Sequence, residues 1–125
     1  MPVTPKYRGS TKYLLVYAAL INAAHTRTTV SYKQIAALMG LPPSGNYMSH
    51  ETGVLLGEIS EEEHGHGRPM LSALAIRADG MPGGGFFGLA RDLGLLRDES
   101  AAGERQFWEA HKQALYDTWS STLRQ

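Results

Sequence analysis

The sequence predicts an α+β fold, a winged helix-turn-helix that is mostly helical, with a small β-sheet or wing and a C-terminal helix. Two stretches indicate this class. Residues 28–59 read as a short strand, a helix, a tight turn and a second helix. Residues 68–85 read as a second strand that leads through a turn into a glycine-rich segment. We expect a single domain over 1–125, divided into an N-terminal arm at 1–9, a winged-helix core at 10–96 and a C-terminal clasp helix at 103–123.

Composition narrows the class of protein. The chain has 125 residues and 42% hydrophobic residues, which suffices for one hydrophobic core. It contains no cysteine, which excludes disulfides, thiolate zinc ligands and thiol nucleophiles and is typical of a reducing compartment. The N-terminus lacks the apolar core of a signal peptide, and the apolar stretch at 13–24 is too short to span a bilayer. We therefore expect a cytoplasmic protein with no membrane partner.

Charge is unevenly distributed along a chain whose net charge is zero. Residues 1–50 carry five Lys or Arg side chains and no carboxylate, whereas residues 51–125 carry seven against twelve carboxylates. A basic N-terminal half favours a polyanionic partner. Chance clustering of solvated surface charges is the alternative.

The helix-turn-helix has recognisable local signals. Residues 26–30 are polar and β-branched, which predicts a short strand. Ser31 and Gln34 have the spacing of a capping box that opens the first helix. Gly40 fits a left-handed helix end, and Pro42-Pro43 prevents continuation. The second helix begins at Ser44, Gly45 or Asn46, and its Gly53 and Gly57 would allow a neighbouring element to approach closely.

A recognition helix contacts bases through its N-terminal residues, so this pattern predicts binding to double-stranded DNA. The second helix carries short polar side chains there, although it lacks the arginine that most often reads guanine, and we expect weak sequence preference. A first turn that merely faces solvent is the alternative. The predicted DNA-binding residues are Lys6, Arg8, Lys12, Tyr32, Lys33, Asn46, Tyr47, Ser49, His50, Thr52, Arg77, Gly83, Gly84 and Gly85.

The C-terminal half completes the predicted fold. The apolar run Arg68–Ile76 predicts a strand covered on both faces. Residues 77–80 form a turn, residues 81–85 the tip or return limb of a wing, and residues 86–94 a short helix. The last helix has an apolar stripe that either clasps the domain or binds a protein partner or a second copy. Its members include Phe107, Trp108, His111, Leu115 and Trp119.

Enzymatic signals are weak. After an acidic run at 60–67, read as a helix end and a loop, His64 and His66 can contribute to a metal site of a hydrolase, but no third ligand stands at a known spacing. The segment 83–88, GGGFFG, matches GxGxxG without the βαβ context of a dinucleotide fold. No GxSxG motif is present. We expect no cofactor, no native metal and, on balance, no enzyme.

Residues 29–88 resemble the C-terminal DNA-binding domain of O6-alkylguanine DNA alkyltransferases and the alkyltransferase-like proteins. Three segments carry the resemblance: residues 30–36 (VSYKQIA), 39–42 (MGLP) and 76–84 (IRADGMPGG). The family's reactive Pro-Cys-His-Arg-Val motif is absent, and its position falls near Ser72. Without a thiolate the alkyl transfer of that family is excluded. The resemblance therefore implies a winged-helix scaffold. Our own expectation is that this scaffold binds double-stranded DNA without catalysis, in regulation, repair or phage defence.

Overall fold

The computed structural model describes residues 5–120, which form a mostly helical α+β domain with a small parallel sheet. Residues 1–4 of the predicted arm and 121–123 of the predicted clasp helix lie outside the described residues. Within residues 5–120, no helix is long and apolar enough to cross a membrane. The elements are α1 (Thr11–Thr26), β1 (Val30–Ser31), α2 (Tyr32–Met39), α3 (Asn46–Gly65), a 3₁₀ turn (Leu71–Leu74), β2 (Ala75–Ile76), α4 (Gly84–Asp92) and α5 (Ala101–Ser120).

The predicted signals around α2 are confirmed. The Ser31 hydroxyl accepts from the Gln34 N–H at 3.0 Å, and the Gln34 side chain accepts from the Ser31 N–H at 2.9 Å. The reciprocal pair satisfies two of the free N–H groups at the start of α2. Gly40 ends the helix with a φ of 74°, and α3 then begins at Asn46. The orientation of α3 relative to α2 is therefore set by the turn at 40–45.

The predicted strand at Arg68–Ile76 is wrong for most of its length. Leu71–Leu74 form a 3₁₀ turn, and only Ala75–Ile76 pair with β1, in parallel, with Val30 opposite Ala75. Side chains replace strand partners: the Ser60 hydroxyl accepts from the Ser72 N–H at 3.1 Å. The imidazole of His111 and the indole of Trp108 bond the neighbouring backbone at Met70 and Ala73. A continuous apolar run is equally compatible with a buried turn, because periodicity does not separate the two.

Helix α5 covers the core on the side where the 3₁₀ turn lies. It packs against α1 and the 3₁₀ turn, and its Trp108 and Leu115 are buried within the chain. The Trp108 indole N–H donates to the Ala73 carbonyl at 2.8 Å. These two side chains are therefore covered within the chain, whereas Phe107, His111 and Trp119 of the stripe are half-buried.

The acidic segment at 60–67 is more ordered than predicted, since α3 continues to Gly65. Glu63 is fully buried and accepts two hydrogen bonds of 2.8 Å from the guanidinium of Arg68. Burial alone would raise the pKa of Glu63, but Arg68 and the Tyr17 hydroxyl outweigh it and hold that pKa below its usual value. The pair closes the end of α3, and the Tyr17 hydroxyl, which donates to Glu63, links this end to α1.

We predict that acid destabilises the protein through His111. Its Nε2 accepts from the Met70 N–H at 2.8 Å, so the folded state requires neutral imidazole. Burial, aided by His64, lowers the pKa of His111 from 6.5 to about 4. The unfolded chain therefore takes up the proton first as pH falls, and up to about 3 kcal/mol of stability is lost between pH 6.5 and 4.

Thermal unfolding at pH 7 and pH 4.5 measures this loss. The matched variant is His111→Gln, whose amide oxygen still accepts from Met70 but does not titrate. His111→Gln is expected to be less stable at pH 7 and to lose less than the natural protein at pH 4.5. An equal decrease in both proteins would contradict the assignment to His111.

Candidate nucleic-acid interface

A cleft of about 690 Å³ lies between the start of α2, the start of α3, the turn after β2 and the start of α4. We call it the glycine cleft. Much of its wall is backbone, because glycines at the starts of α3 and α4 and inside α3 face it. Residues that line it include Tyr32, Lys33, Ser49, Gly53, Arg77 and Gly84.

The electrostatics of the glycine cleft favour an anion. Among residues 5–120, no carboxylate lines it, whereas Lys33 and Arg77 both do and are exposed. Arg77 also contacts Asp79, at 2.8 Å, in the exposed turn that follows β2. A hydrogen bond from the Met81 N–H, aided by Arg77, lowers the pKa of Asp79. The pair orders the turn, and the Lys33 ammonium makes no ion pair within the described part of the chain.

Three helix N-termini line the same space. Helix α2 is capped by Ser31, while the caps of α3 and α4 are Gly45 and Gly83, which have no side chain to bond the first N–H groups. The first turns of α2, α3 and α4 contain no acidic residue. Each helix start carries partial positive charge and free N–H donors, which attract anions. The helix ends therefore add to the charge of the two cations.

Tyr32 and Gly83 meet at one wall of the glycine cleft. The Tyr32 ring is half-buried, and a Cβ added at Gly83 would collide with its hydroxyl. Only glycine leaves room for this contact between α2 and the start of α4. Burial raises the pKa of Tyr32, against a smaller lowering by Arg77, so the phenol stays neutral.

The structure brings about half of the predicted DNA-binding residues together. Tyr32, Lys33, Ser49 and Arg77 line the glycine cleft with the segment Gly83–Gly85. Asn46, Tyr47 and His50 lie exposed at the start of α3, outside the cleft wall. Lys12 is exposed on α1.

Thr52 does not fit its predicted role. It is fully buried, and its hydroxyl donates to the Met48 carbonyl at 2.8 Å. Thr52 lies one helical turn after the buried Met48, so both side chains point toward the core and Thr52 cannot face a DNA groove. Thr52 therefore acts in packing.

The predicted DNA-binding role of Lys6 and Arg8 in the arm also requires correction. The Lys6 ammonium pairs with Glu51 at 2.7 Å, and Arg8 lies 3.8 Å from Glu62. The backbone N–H groups of residues 6–8 donate to the Glu58 carboxylate. Lys6 and the Tyr7 hydroxyl hold the pKa of Glu51 below its usual value. The arm is thus attached to an acidic side of α3, which offsets its positive charge.

Sequence reasoning missed several residues of the cleft wall. Pro43, Met48, Gly53 and Ala78 line it, and their positions depend on how α3 packs against α2 and α4. Gly53 does not serve the close packing expected of it, because no atom of residues 5–120 lies within 4 Å of a Cβ added there. Its side of α3 instead faces the cleft.

The histidine candidates do not form a metal centre. His64 and His66 lie at the end of α3, and His66 Nδ1 is 3.4 Å from the Glu62 carbonyl oxygen. In residues 5–120, no group of three or more His, Asp or Glu side chains can hold a metal ion. Ser72, which was predicted to lie near the reactive position of the alkyltransferase motif, is buried, and its hydroxyl lies 2.7 Å from that of Ser60.

Comparison with known proteins yields no match: no family model, no curated protein and no solved structure is significantly similar to this chain.

Proposed function

We propose that the protein binds double-stranded DNA without catalysis, through a winged helix-turn-helix. Helices α2 and α3 form the motif, and the turn that follows β2 acts as the wing. The observation that carries the proposal is the lining of the glycine cleft, which holds no carboxylate among the described residues and brings Lys33, Arg77 and three helix starts together. Phosphate contacts of this type supply most of the affinity of non-specific DNA binding.

The carboxylates of α3 that bind the arm and the residues of α3 that face the cleft lie on different sides of the helix, which supports a single DNA-binding face. Ser49 and Gly53 face the cleft, whereas Glu51, Glu58 and Glu62 bind the arm on another side of the helix. A duplex would meet the carboxylate-free side without repulsion. Asn46, Tyr47 and His50, exposed at the start of α3, are then free to enter the major groove.

Fluorescence anisotropy with a labelled duplex of about 30 base pairs tests the proposal. Binding is expected to weaken steeply between low salt and about 0.2 M salt, because bound cations release counterions from the DNA. Lys33→Ala and Arg77→Ala should each lower the log–log salt slope by about one and together weaken binding at least about tenfold.

Arg97→Ala is the control, because it removes the same charge as the other two substitutions. Arg97 is exposed and lies outside the cleft wall. Its affinity should stay close to that of the natural protein. Absence of binding at low salt and tens of micromolar protein would refute DNA binding. Equal effects of Arg97→Ala and Arg77→Ala would refute the assignment of the face.

A further inference from the structure

Three glycines of the cleft are not explained by packing. Gly53, Gly84 and Gly85 are helical, and no described atom lies within 4 Å of a Cβ added at any of them. Alanine in the interior of α3 would favour the helix relative to glycine. The missing side chains keep the cleft open and leave its backbone accessible to an occupant.

The size and walls of the glycine cleft fit a small molecule or a single nucleotide. Its volume of about 690 Å³ lies within the roughly 300–1,000 Å³ usual for ligand sites. Tyr32, Pro43 and Met48 give one part of the wall an apolar surface. A bare inorganic ion would leave most of this space and surface unused.

Charge selects among anionic occupants. Lys33 and Arg77 contribute two positive side chains, and the starts of α2, α3 and α4 add partial positive charge. A phosphodiester carries one negative charge, whereas a phosphate monoester approaches two at neutral pH. Asp79 offsets part of the charge of Arg77, so the positive charge that a dianion would match comes from Lys33, the rest of Arg77 and the three helix starts together.

We propose that the glycine cleft binds a phosphate monoester of nucleotide size, supplied either by the 5′-phosphorylated end of a DNA strand or by a free nucleoside monophosphate. The phosphate lies between Lys33, Arg77 and the N–H groups at the start of α4, and the nucleoside lies against Tyr32 and Met48. The proposal deepens the proposed DNA binding and rests on it, because both use the same face.

Anisotropy in phosphate-free buffer tests the ligand. The probe is a 3′-labelled duplex of about 16 base pairs, prepared with either 5′-phosphate or 5′-hydroxyl ends. The 5′-phosphorylated duplex is expected to bind at least about tenfold tighter. Displacement by millimolar adenosine monophosphate assigns the cleft to free nucleotides as well, and resistance to it assigns the cleft to strand ends. Equal affinity for the two duplexes, together with no adenosine monophosphate binding by calorimetry, overturns the proposal.

A closed circular duplex separates this proposal from the proposed function, since it has no ends. Binding to the circle without any preference for 5′-phosphate would reject the phosphate monoester site and retain DNA binding. A preference for 5′-phosphate without binding to the circle would retain the monoester site and reject general duplex binding.

Glycine substitutions test the location of the site. Gly53→Leu places a side chain in the cleft and should abolish the preference for 5′-phosphate. The control is Gly88→Leu, because Gly88 is also helical with open space around it but lies outside the cleft wall. Gly53→Ala, which meets no described atom, should keep the fold and reduce the preference. An unchanged preference in both Gly53 variants would contradict the location.

Discussion

Replacing Arg68 with alanine is expected to lower the free energy of unfolding by about 3 kcal/mol. The substitution leaves the Glu63 carboxylate, which is fully buried, without the guanidinium that donates two hydrogen bonds to it. Arg68 also lies over the Trp119 ring, so some packing is lost as well. Urea unfolding followed by tryptophan fluorescence measures the difference at pH 7.

The double variant Arg68→Ala/Glu63→Gln is the control, because a neutral amide removes the buried charge. It should recover a large part of the lost stability. The gap between Arg68→Ala and the natural protein should also narrow as the pH falls, because burial raises the pKa of the uncompensated Glu63 and this carboxyl is then protonated above its usual range. A loss under about 1 kcal/mol at pH 7 would show that the pair contributes little.

Trp108→Ala is expected to destabilise the protein by roughly 3–5 kcal/mol, the range for removing a large aromatic side chain from a core. The ring is 4% exposed and packs α5 onto the 3₁₀ turn. Its indole N–H bonds the buried Ala73 carbonyl, and the Lys112 ammonium lies 3.9 Å from the ring centre. Truncation would therefore leave a cavity and an unsatisfied carbonyl together.

Trp108→Phe separates the two contributions, since it retains most of the packing and removes the hydrogen bond. Its loss should be about 1–2 kcal/mol. Chemical denaturation of both variants, with the mass in solution measured in parallel, checks the clasp. If Trp108→Ala changes the mass but leaves stability unaltered, the tryptophan serves an interface between chains.

The sequence predicted well the parts of the fold that depend on near neighbours. The capping box of Ser31 and Gln34 and the left-handed Gly40 are local arrangements within a few residues, and both are present. The turn at 77–80 is present too, with the Gly80 N–H bonded to the Arg77 carbonyl at 2.9 Å. Such signals do not depend on the rest of the molecule.

Tertiary packing overrode the sequence signal at 68–76. The apolar residues there form a 3₁₀ turn because Ser60, Trp108 and His111 reach its backbone from two distant helices. Their separation of 12 to 41 residues along the chain cannot be read from a local pattern. The attachment of Lys6 and Arg8 to the glutamates of α3 was missed for the same reason.

About half of the predicted site residues proved to line the candidate site. Lys33, Arg77 and Gly83–Gly85 were predicted from motif position, whereas Thr52 was placed on the wrong side of α3. The role of Gly53 emerged only from the open space around it. Which residues meet in the cleft depends on how α3 packs against α2 and α4, and this packing is a tertiary property.

The most direct test of the proposed DNA-binding face is a titration of ¹⁵N-labelled protein with duplex DNA, followed by amide chemical shifts. We expect the largest changes at Lys33, Ser49 and the backbone of Gly83–Gly85, with smaller changes on α1 and α5. Shifts that cluster on α1 or α5 and spare the glycine cleft would contradict the proposed DNA-binding face.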